Sequence, residues 1–241
     1  MNIFRIDQYV CKICGYNMIG YLPSNCPFCG AVKKNFITAE FCSKNYRIIE
    51  EKVSNKIFSL CSRPELGLEH NAYCINTKNQ KIWIDCPSTF QPDVERMNKI
   101  IFTHNHFLGA SNLYRSYFTA FIWIHQLDTD NRLVQNYSFD KKFSEDFELE
   151  GIKSFHLNGH TPGFTCYIFE KILFICDYVF LDEKAMKFNP YGPTEKTKEG
   201  ALNLNLILNN NELEKVCGYN YVVKYSYWKE KFNELITRIS V

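Results

Sequence analysis

The sequence predicts a layered α/β protein preceded by a small module that needs a metal to hold it together. Three observations predict it. Two CxxC pairs fall within Cys11 to Cys29, β-like apolar runs alternate with helix-like stretches from about Ile48 onward, and histidines and an aspartate stand where those runs end. The module is expected over residues 1–40 and the larger domain over 41–241, with the join between Ile37 and Tyr46. Such a division leaves the second part near 200 residues, in the upper range of a single domain, about 50–250 residues.

The first forty residues carry little apolar periodicity and many turn signals, and a segment that small builds no adequate core without a staple. From there the texture is β-like at 57–61, 71–75, 81–85, 99–104 and 120–125. Short helices are expected over Pro92–Met97, with its Pro in the first turn, and over Leu108–Tyr117. Further strands are expected at 151–157, 164–169 and 171–176, the last two joined by a tight Glu170-Lys171 turn. A helix follows over Lys196–Leu208, then a strand at 221–225 and a terminal helix from Trp228 to Ile239. Strands mixed with helices across two halves fit a layered α/β sandwich.

The charge balance narrows the function. The 28 basic and 26 acidic residues are scattered without a run or stripe, for a formal charge of +2, so no nucleic-acid partner is expected. No apolar run approaches the ~20 residues needed to cross a bilayer, and MNIFRIDQYVCK lacks the features of a signal peptide. The expectation is a cytoplasmic protein. Eleven cysteines could suggest a disulfide framework. Their distribution argues against that: Cys42, Cys61, Cys74, Cys86, Cys166, Cys176 and Cys217 are dispersed, several in apolar runs, and are read as reduced and mostly buried.

Cys11, Cys14, Cys26 and Cys29 are the first candidate site. A CxxC turn points two thiolates at one ion, and two such turns complete a tetrahedral four-sulfur shell that suits iron or zinc equally. Gly15 and Gly30 each follow the second cysteine of a pair, where a positive φ lets backbone amides turn toward the sulfurs. The second candidate site starts at Thr103-His104-Asn105-His106, continues at Asn158-Gly159-His160-Thr161-Pro162-Gly163 and ends at Asp177, after the run KILFIC. Histidines two apart on a loop leaving a strand can reach one ion, and a third imidazole plus a strand-end carboxylate completes a plausible shell. His70 could line the pocket, whereas His125 and His156, on β-like runs, are read as structural. The segment Lys187–Pro193 is read as a surface loop over the site mouth.

Two resemblances sharpen this reading. Tyr9, the CxxCGY run, the Pro-x-x-CPxCGA run and Lys33 followed by Phe36 resemble the rubredoxin-like domain of rubrerythrins, which implies one redox-active iron; a structural zinc ribbon is the alternative. From about residue 48, THNH, GHTPG and Asp177, with the Asn71-Ala72-Tyr73 and Ile84-Asp85-Cys86 stretches, resemble the metallo-β-lactamase superfamily, including glyoxalase II and the persulfide dioxygenases. That resemblance implies an αββα sandwich. It also implies that His104, His106 and His160 bind one metal and that Asp177, which bridges in two-metal relatives, joins them.

The departures from the family pattern are selective. Its THxHxDH motif has Leu108-Gly109 here in place of Asp-His, and near its late histidine this chain reads Cys217-Gly218-Tyr219-Asn220. Every ligand unique to a second metal is gone, which implies a mononuclear site; a metal-free relic and a rearranged binuclear site stay open. Tyr219 could donate a hydrogen bond to substrate from the late histidine's place. His104, His160 and Asp177 form a 2-His-1-carboxylate set of the type used by non-heme iron. Flavodiiron proteins also join this fold to rubredoxin, but they need two irons and acidic ligands absent here.

The expectation is an enzyme acting on a small-molecule substrate: an oxidoreductase with one iron at His104, His160 and Asp177, His106 as an extra ligand or neighbour, and a rubredoxin-like iron passing single electrons. A redox partner protein and a homodimer bringing one chain's module to the other's active site are further expectations. Two alternatives stand beside it. One is a zinc hydrolase of thioesters, esters or phosphodiesters, with Zn2+ on His104, His106 and His160 and an activated water. The other is a non-catalytic scaffold with a structural cysteine module.

Overall fold

The computed structural model describes residues 3–68, 70–183 and 185–238. The chain divides into two compact units, Met1–Phe143 and Ser144–Val241.

The first unit opens on β1 (Gln8–Cys11), β2 (Asn17–Ile19) and β3 (Phe36–Thr38), an antiparallel sheet in the order β2-β1-β3. Thr38 then caps α1 (Ala39–Asn45), its hydroxyl accepting from the Phe41 amide. The expected join therefore holds a strand and a helix. There follow β4 (Arg47–Lys52), β5 (Ile57–Arg63), β6 (Ala72–Asn76), β7 (Lys81–Ile84), β8 (Lys99–Ile101), α2 (Ser111–Phe118), β9 (Phe121–His125) and β10 (Lys141–Phe143). The larger sheet runs β10-β9-β8-β7-β6-β5-β4, antiparallel from β4 to β7 and parallel from β7 to β10. Parallel pairing puts the carboxyl ends of β7, β8 and β9 on one edge, where α/β sheets gather their functional loops. Trp83, Ile100, Phe102 and Tyr114 are fully buried in the core of this unit, with the Trp83 and Tyr114 rings edge to face at 5.0 Å.

Two expected helices change. Residues 92–97 form only a turn and irregular chain. Six residues make less than two helical turns, too few to offset the cost of nucleation, and the segment is held instead by Met97 in the core and by the Asn98 amide bonding to Lys81 O. The next helix starts at Ser111 rather than Leu108, because Gly109 takes a left-handed φ of 49° and breaks the run.

The second unit has β11 (Glu148–Leu149), β12 (Ile152–His156), β13 (Thr165–Phe169), β14 (Ile172–Cys176), β15 (Val179–Leu181), β16 (Met186–Phe188), α3 (Thr194–Asn209), β17 (Lys215–Gly218), β18 (Val222–Lys224) and α4 (Tyr225–Thr237). Its main sheet runs β11-β12-β13-β14-β17-β18. The β12–β13 and β13–β14 pairs are antiparallel and β14–β17 is parallel, so β12, β14 and β17 end on the same edge. Lys187 and Phe188, expected in a surface loop, lie in β16, and Asn189 after them is buried. No helix among the described residues is long and apolar enough to cross a membrane.

Candidate metal centres

The four N-terminal cysteines come together. Each CxxC turn closes in the same way: the Gly15 and Gly30 amides, at φ 76°, donate to Cys11 O and Cys26 O, while the Cys11 and Cys26 amides donate to Tyr16 O and Ala31 O. The two turns face each other with Cys11 Sγ 3.8 Å from Cys29 Sγ and Cys14 Sγ 3.7 Å from Cys26 Sγ, all four sulfurs lying within 4.8 Å of one another. A disulfide needs ~2.05 Å. A regular tetrahedron of thiolates about 2.3 Å from a metal has edges of about 3.8 Å, so the sulfurs already stand at metal-binding separation. Crowding sorts their protons. Cys11 is drawn below the ordinary thiol range by hydrogen bonds from Cys14 and Cys26, while Cys14 and Cys26 are held above it, first by bonding with Cys11 and then by burial. Only a bound cation would let all four sulfurs be thiolates at once.

The buried cluster around these sulfurs is small: Cys11, Cys14, Tyr16, Met18, Cys26 and Leu133. Half of it is cysteine. None of the eleven cysteines forms a disulfide among the described residues, and the seven dispersed ones are all buried, as the sequence suggested.

His104 and His106 lie on the loop leaving β8, their ring centroids 4.7 Å apart. Asp85, at the end of β7, holds that loop: its carboxylate accepts from the Thr103 amide at 2.9 Å and from the Thr103 hydroxyl at 2.9 and 3.0 Å. Thr103 Oγ1 also lies 2.9 Å from His104 Nδ1. A hydroxyl has one proton, and a carboxylate only accepts. Thr103 therefore donates to Asp85 and accepts from His104 Nδ1–H, so the lone pair of His104 sits on Nε2, where a metal would use it. On the other side the Asn105 amide donates to the buried Asp128 carboxylate at 3.2 Å.

His160 and Asp177 meet in the second unit, Nε2 to Oδ2 at 3.5 Å. Two ligands each about 2.1 Å from one metal stand about 3.0 Å apart at a right angle and about 3.4 Å apart in a tetrahedron. Asn189 orients the pair. Its Oδ1 accepts from the Tyr191 amide, which fixes the side-chain amide, and its Nδ2 donates to Asp177 Oδ2 at 2.9 Å and faces His160 Nε2 at 3.3 Å. The lone pair of His160 is thus also on Nε2. Asp177 follows Cys176, whose φ of 47° is strained for a side chain other than glycine, as is the 59° of Asp85. Tyr219 follows β17, with its amide donating to Cys176 O; burial and then the charge of Asp177 raise its hydroxyl pKa.

Burial pushes the Asp177 carboxyl up to about 7, against the pull of hydrogen bonds including that of Asn189. A carboxyl raised in this way keeps its proton in the folded chain while the unfolded chain has lost it. Its contribution to stability is therefore present below the unfolded value, ~3.9, and is lost as pH rises toward 7. Metal-free protein should lose stability over that window, and Asp177→Asn should flatten the loss; equal pH slopes of Tm for the two proteins would refute the assignment.

The other histidines fall into place. His125 Nδ1 accepts from the Leu127 amide at 3.3 Å, and His156 Nε2 lies 2.8 Å from Pro162 O. His70 is buried and stacked on Phe107 at 3.7 Å, and burial lowers its pKa to about 3, which keeps it neutral.

Leu108 and Gly109, which stand where the family pattern has Asp-His, are both tightly packed. Leu108 is packed in the core. A Cβ on Gly109 would stand 2.2 Å from Cys86 O and 2.3 Å from Pro87 O, both backbone atoms, at a φ of 49°. Gly109→Ala should cost about 2 kcal/mol or more, from strain and overpacking together. Gly109→His should fail to add a metal site. Denaturant midpoints and metal counts on the two variants check this; an unchanged midpoint, or an extra ion in Gly109→His, would contradict the geometry.

Comparisons with known proteins bear on the N-terminal module and on the fold. The model of the rubrerythrin rubredoxin-like domain matches residues 9–37. No curated protein matches the chain. Among solved structures, a metallo-β-lactamase from Pontibacter korlensis is 14% identical, with a TM-score of 0.64 over 79% of this chain and 98% of that one. The VMB-1 protein is 16% identical, with a TM-score of 0.63 over 81% of this chain and 99% of that one. A flavo di-iron protein variant from Thermotoga maritima is 15% identical at a TM-score of 0.57, over 80% of this chain and 61% of that one. At these identities the likeness is one of fold: a metallo-β-lactamase-like α/β architecture behind a rubredoxin-like module.

Proposed function

We propose that the chain is a metal-dependent oxidoreductase. Cys11, Cys14, Cys26 and Cys29 hold a redox-active iron, and His104, His160 and Asp177, with His106 as an extra ligand or neighbour, hold one further iron. The observation that supports the reading is a cluster of four cysteine sulfurs in a chain that also carries imidazole and carboxylate donors, while Leu108 and Gly109 stand where the family pattern has Asp-His. The donor set fits a metal on its own chemistry: Asp85 through Thr103 exposes the Nε2 lone pair of His104, and Asn189 holds Asp177 Oδ2 and faces His160 Nε2. Two imidazoles and one carboxylate leave coordination positions open for a small-molecule substrate and oxygen.

When bound, the iron at that set supplies one-electron and oxygen chemistry. The protein's own part is positional. Asp85 and Thr103 fix the His104 ring, and Asn189 keeps Asp177 ordered although burial favours its protonated form. Tyr219, beside Asp177 at the end of β17, offers a hydroxyl to a bound substrate.

Purification without oxygen from iron-supplemented cells, followed by metal analysis and by visible and electron paramagnetic resonance spectra, tests the reading. Two irons per chain with a ferric-thiolate band are expected. A colourless protein holding only zinc would overturn it.

A second reading is hydrolytic. With Zn2+ on His104, His106 and His160 and Asp177 as ligand or base, the same donors would suit a hydrolase. Zinc-loaded protein assayed on thioesters, esters and phosphodiesters separates the two, and inactivity on all three classes would remove the hydrolase.

A further inference from the structure

The cysteine module is seated in its own compact unit by both of its turns. In the first, Ile13 O accepts from the Leu68 amide at 3.1 Å, and Gly67, at φ 64°, lies so close that a Cβ there would stand 2.0 Å from Ile13 O. In the second, Pro27 O accepts from Arg132 Nη2 at 3.0 Å, and the ring of Phe28 meets the ring of His106 edge to face, centroids 5.2 Å apart at 67°. Behind the turns, the half-buried Tyr137 hydroxyl lies within hydrogen-bond reach of both Asn17 O and Gly109 O, tying the module to the loop that carries the histidines.

Phe28 lies inside the Cys26–Cys29 turn, so it is bonded into the sulfur cluster at one end and packed against His106 at the other. The next ring step, from His106 to His104, is 4.7 Å. We infer that Phe28 and His106 form an electron path within one chain, from the thiolate centre to the histidine centre, so that each chain serves its own site without a second copy. The inference rests on the oxidoreductase reading and specifies its internal route. One electron leaves a ferrous thiolate centre, which becomes ferric, and a ferric histidine centre becomes ferrous; no bond forms or breaks and no proton moves. Electron tunnelling decays exponentially with distance and is faster through bonded and packed atoms than through water. Removing the Phe28 ring therefore slows transfer, even if the module stays seated by Ile13, Pro27 and Asn17.

The test uses full-length protein with iron at both sites, kept free of oxygen and reduced by a sub-stoichiometric flash of photogenerated reductant. Recovery of the ferric-thiolate absorption band is followed in wild type, Phe28→Leu and Phe28→Tyr, each first shown by metal analysis to hold both irons. The wild-type rate is expected to be independent of protein concentration, Phe28→Leu to be slowed severalfold, and Phe28→Tyr, which keeps the ring, to stay close to wild type. Equal rates in Phe28→Leu and wild type, or a wild-type rate proportional to protein concentration, would overturn the path while leaving the oxidoreductase reading intact. No transfer in wild type holding two irons would overturn both.

Discussion

Cys26→Ser is expected to remove one metal ion per chain and to unfold the N-terminal module, leaving the other ion in place. The reason is the size of what remains. The buried cluster around the sulfurs has six members, three of them cysteines and one, Leu133, from outside the module, so without an ion little apolar surface of the module's own opposes the chain entropy of some thirty residues. The ion supplies the difference: structural four-ligand sites contribute on the order of 10 kcal/mol of binding free energy that is also folding free energy. A serine hydroxyl is a poor ligand for a soft site, and the three sulfurs left are a crowded set whose protons compete. Metal analysis should fall from two ions to one, and hydrogen exchange should lose protection at the Gly15 and Gly30 amides, which now bond to Cys11 O and Cys26 O. The large sheet of the first unit should keep its protection, because its core of Trp83, Ile100 and Tyr114 does not depend on the sulfurs. Two ions retained in Cys26→Ser, or protected Gly15 and Gly30 amides without the ion, would contradict this account.

Seating should weaken along with folding. The bonds from Arg132 to Pro27 O and from the Leu68 amide to Ile13 O both end on carbonyls inside the CxxC turns, so they exist only while the turns are formed. Chelation of wild type should therefore increase exchange around 67–68 and 132–133 as well as within the module.

What could be read from the sequence follows the range of the interactions. The sulfur cluster is built from two five-residue turns whose backbone bonds are local, so spacing and two glycines suffice to locate it. His104, His106, His160 and Asp177 could be read as candidate ligands because they stand at or beyond strand ends, and strand ends are marked by a change in texture. Asp85 and Asn189 were not read as functional. Their roles depend on partners eighteen and twelve positions away, set by the parallel pairing of β7 with β8 and by the β15–β16 hairpin. A positional signal did exist for Asp85, a lone carboxylate closing the apolar run KIWI. The contact of Phe28 with His106, across seventy-eight positions, left no pattern at all. The failed helix at 92–97 shows the opposite error, in which a proline start and a few helix formers outweighed a length too short to sustain a helix.

His104→Ala should empty the second centre, and Asp85→Asn should nearly do so without touching the ion. In wild type the carboxylate can only accept, and this forces the order of donation from His104 Nδ1 to Thr103 to Asp85. An asparagine at position 85 can turn its NH2 toward Thr103 Oγ1. The hydroxyl then accepts from Asn, and its own proton is free to point at His104 Nδ1, which stabilises the tautomer with the proton on Nε2. A metal would have to displace that proton before binding. Loss of such an orienting partner typically costs 10–100-fold in metal affinity, so Asp85→Asn should lie between wild type and His104→Ala in competition titrations against a chelator. The cysteine centre, held by its own turns, should keep its ion in both variants. Asp85→Glu, which preserves acceptor-only chemistry at a changed distance, should bind more tightly than Asp85→Asn if proton order is what matters. If Asp85→Asn binds as wild type does, the loop is held by its backbone alone, and the tautomer argument fails.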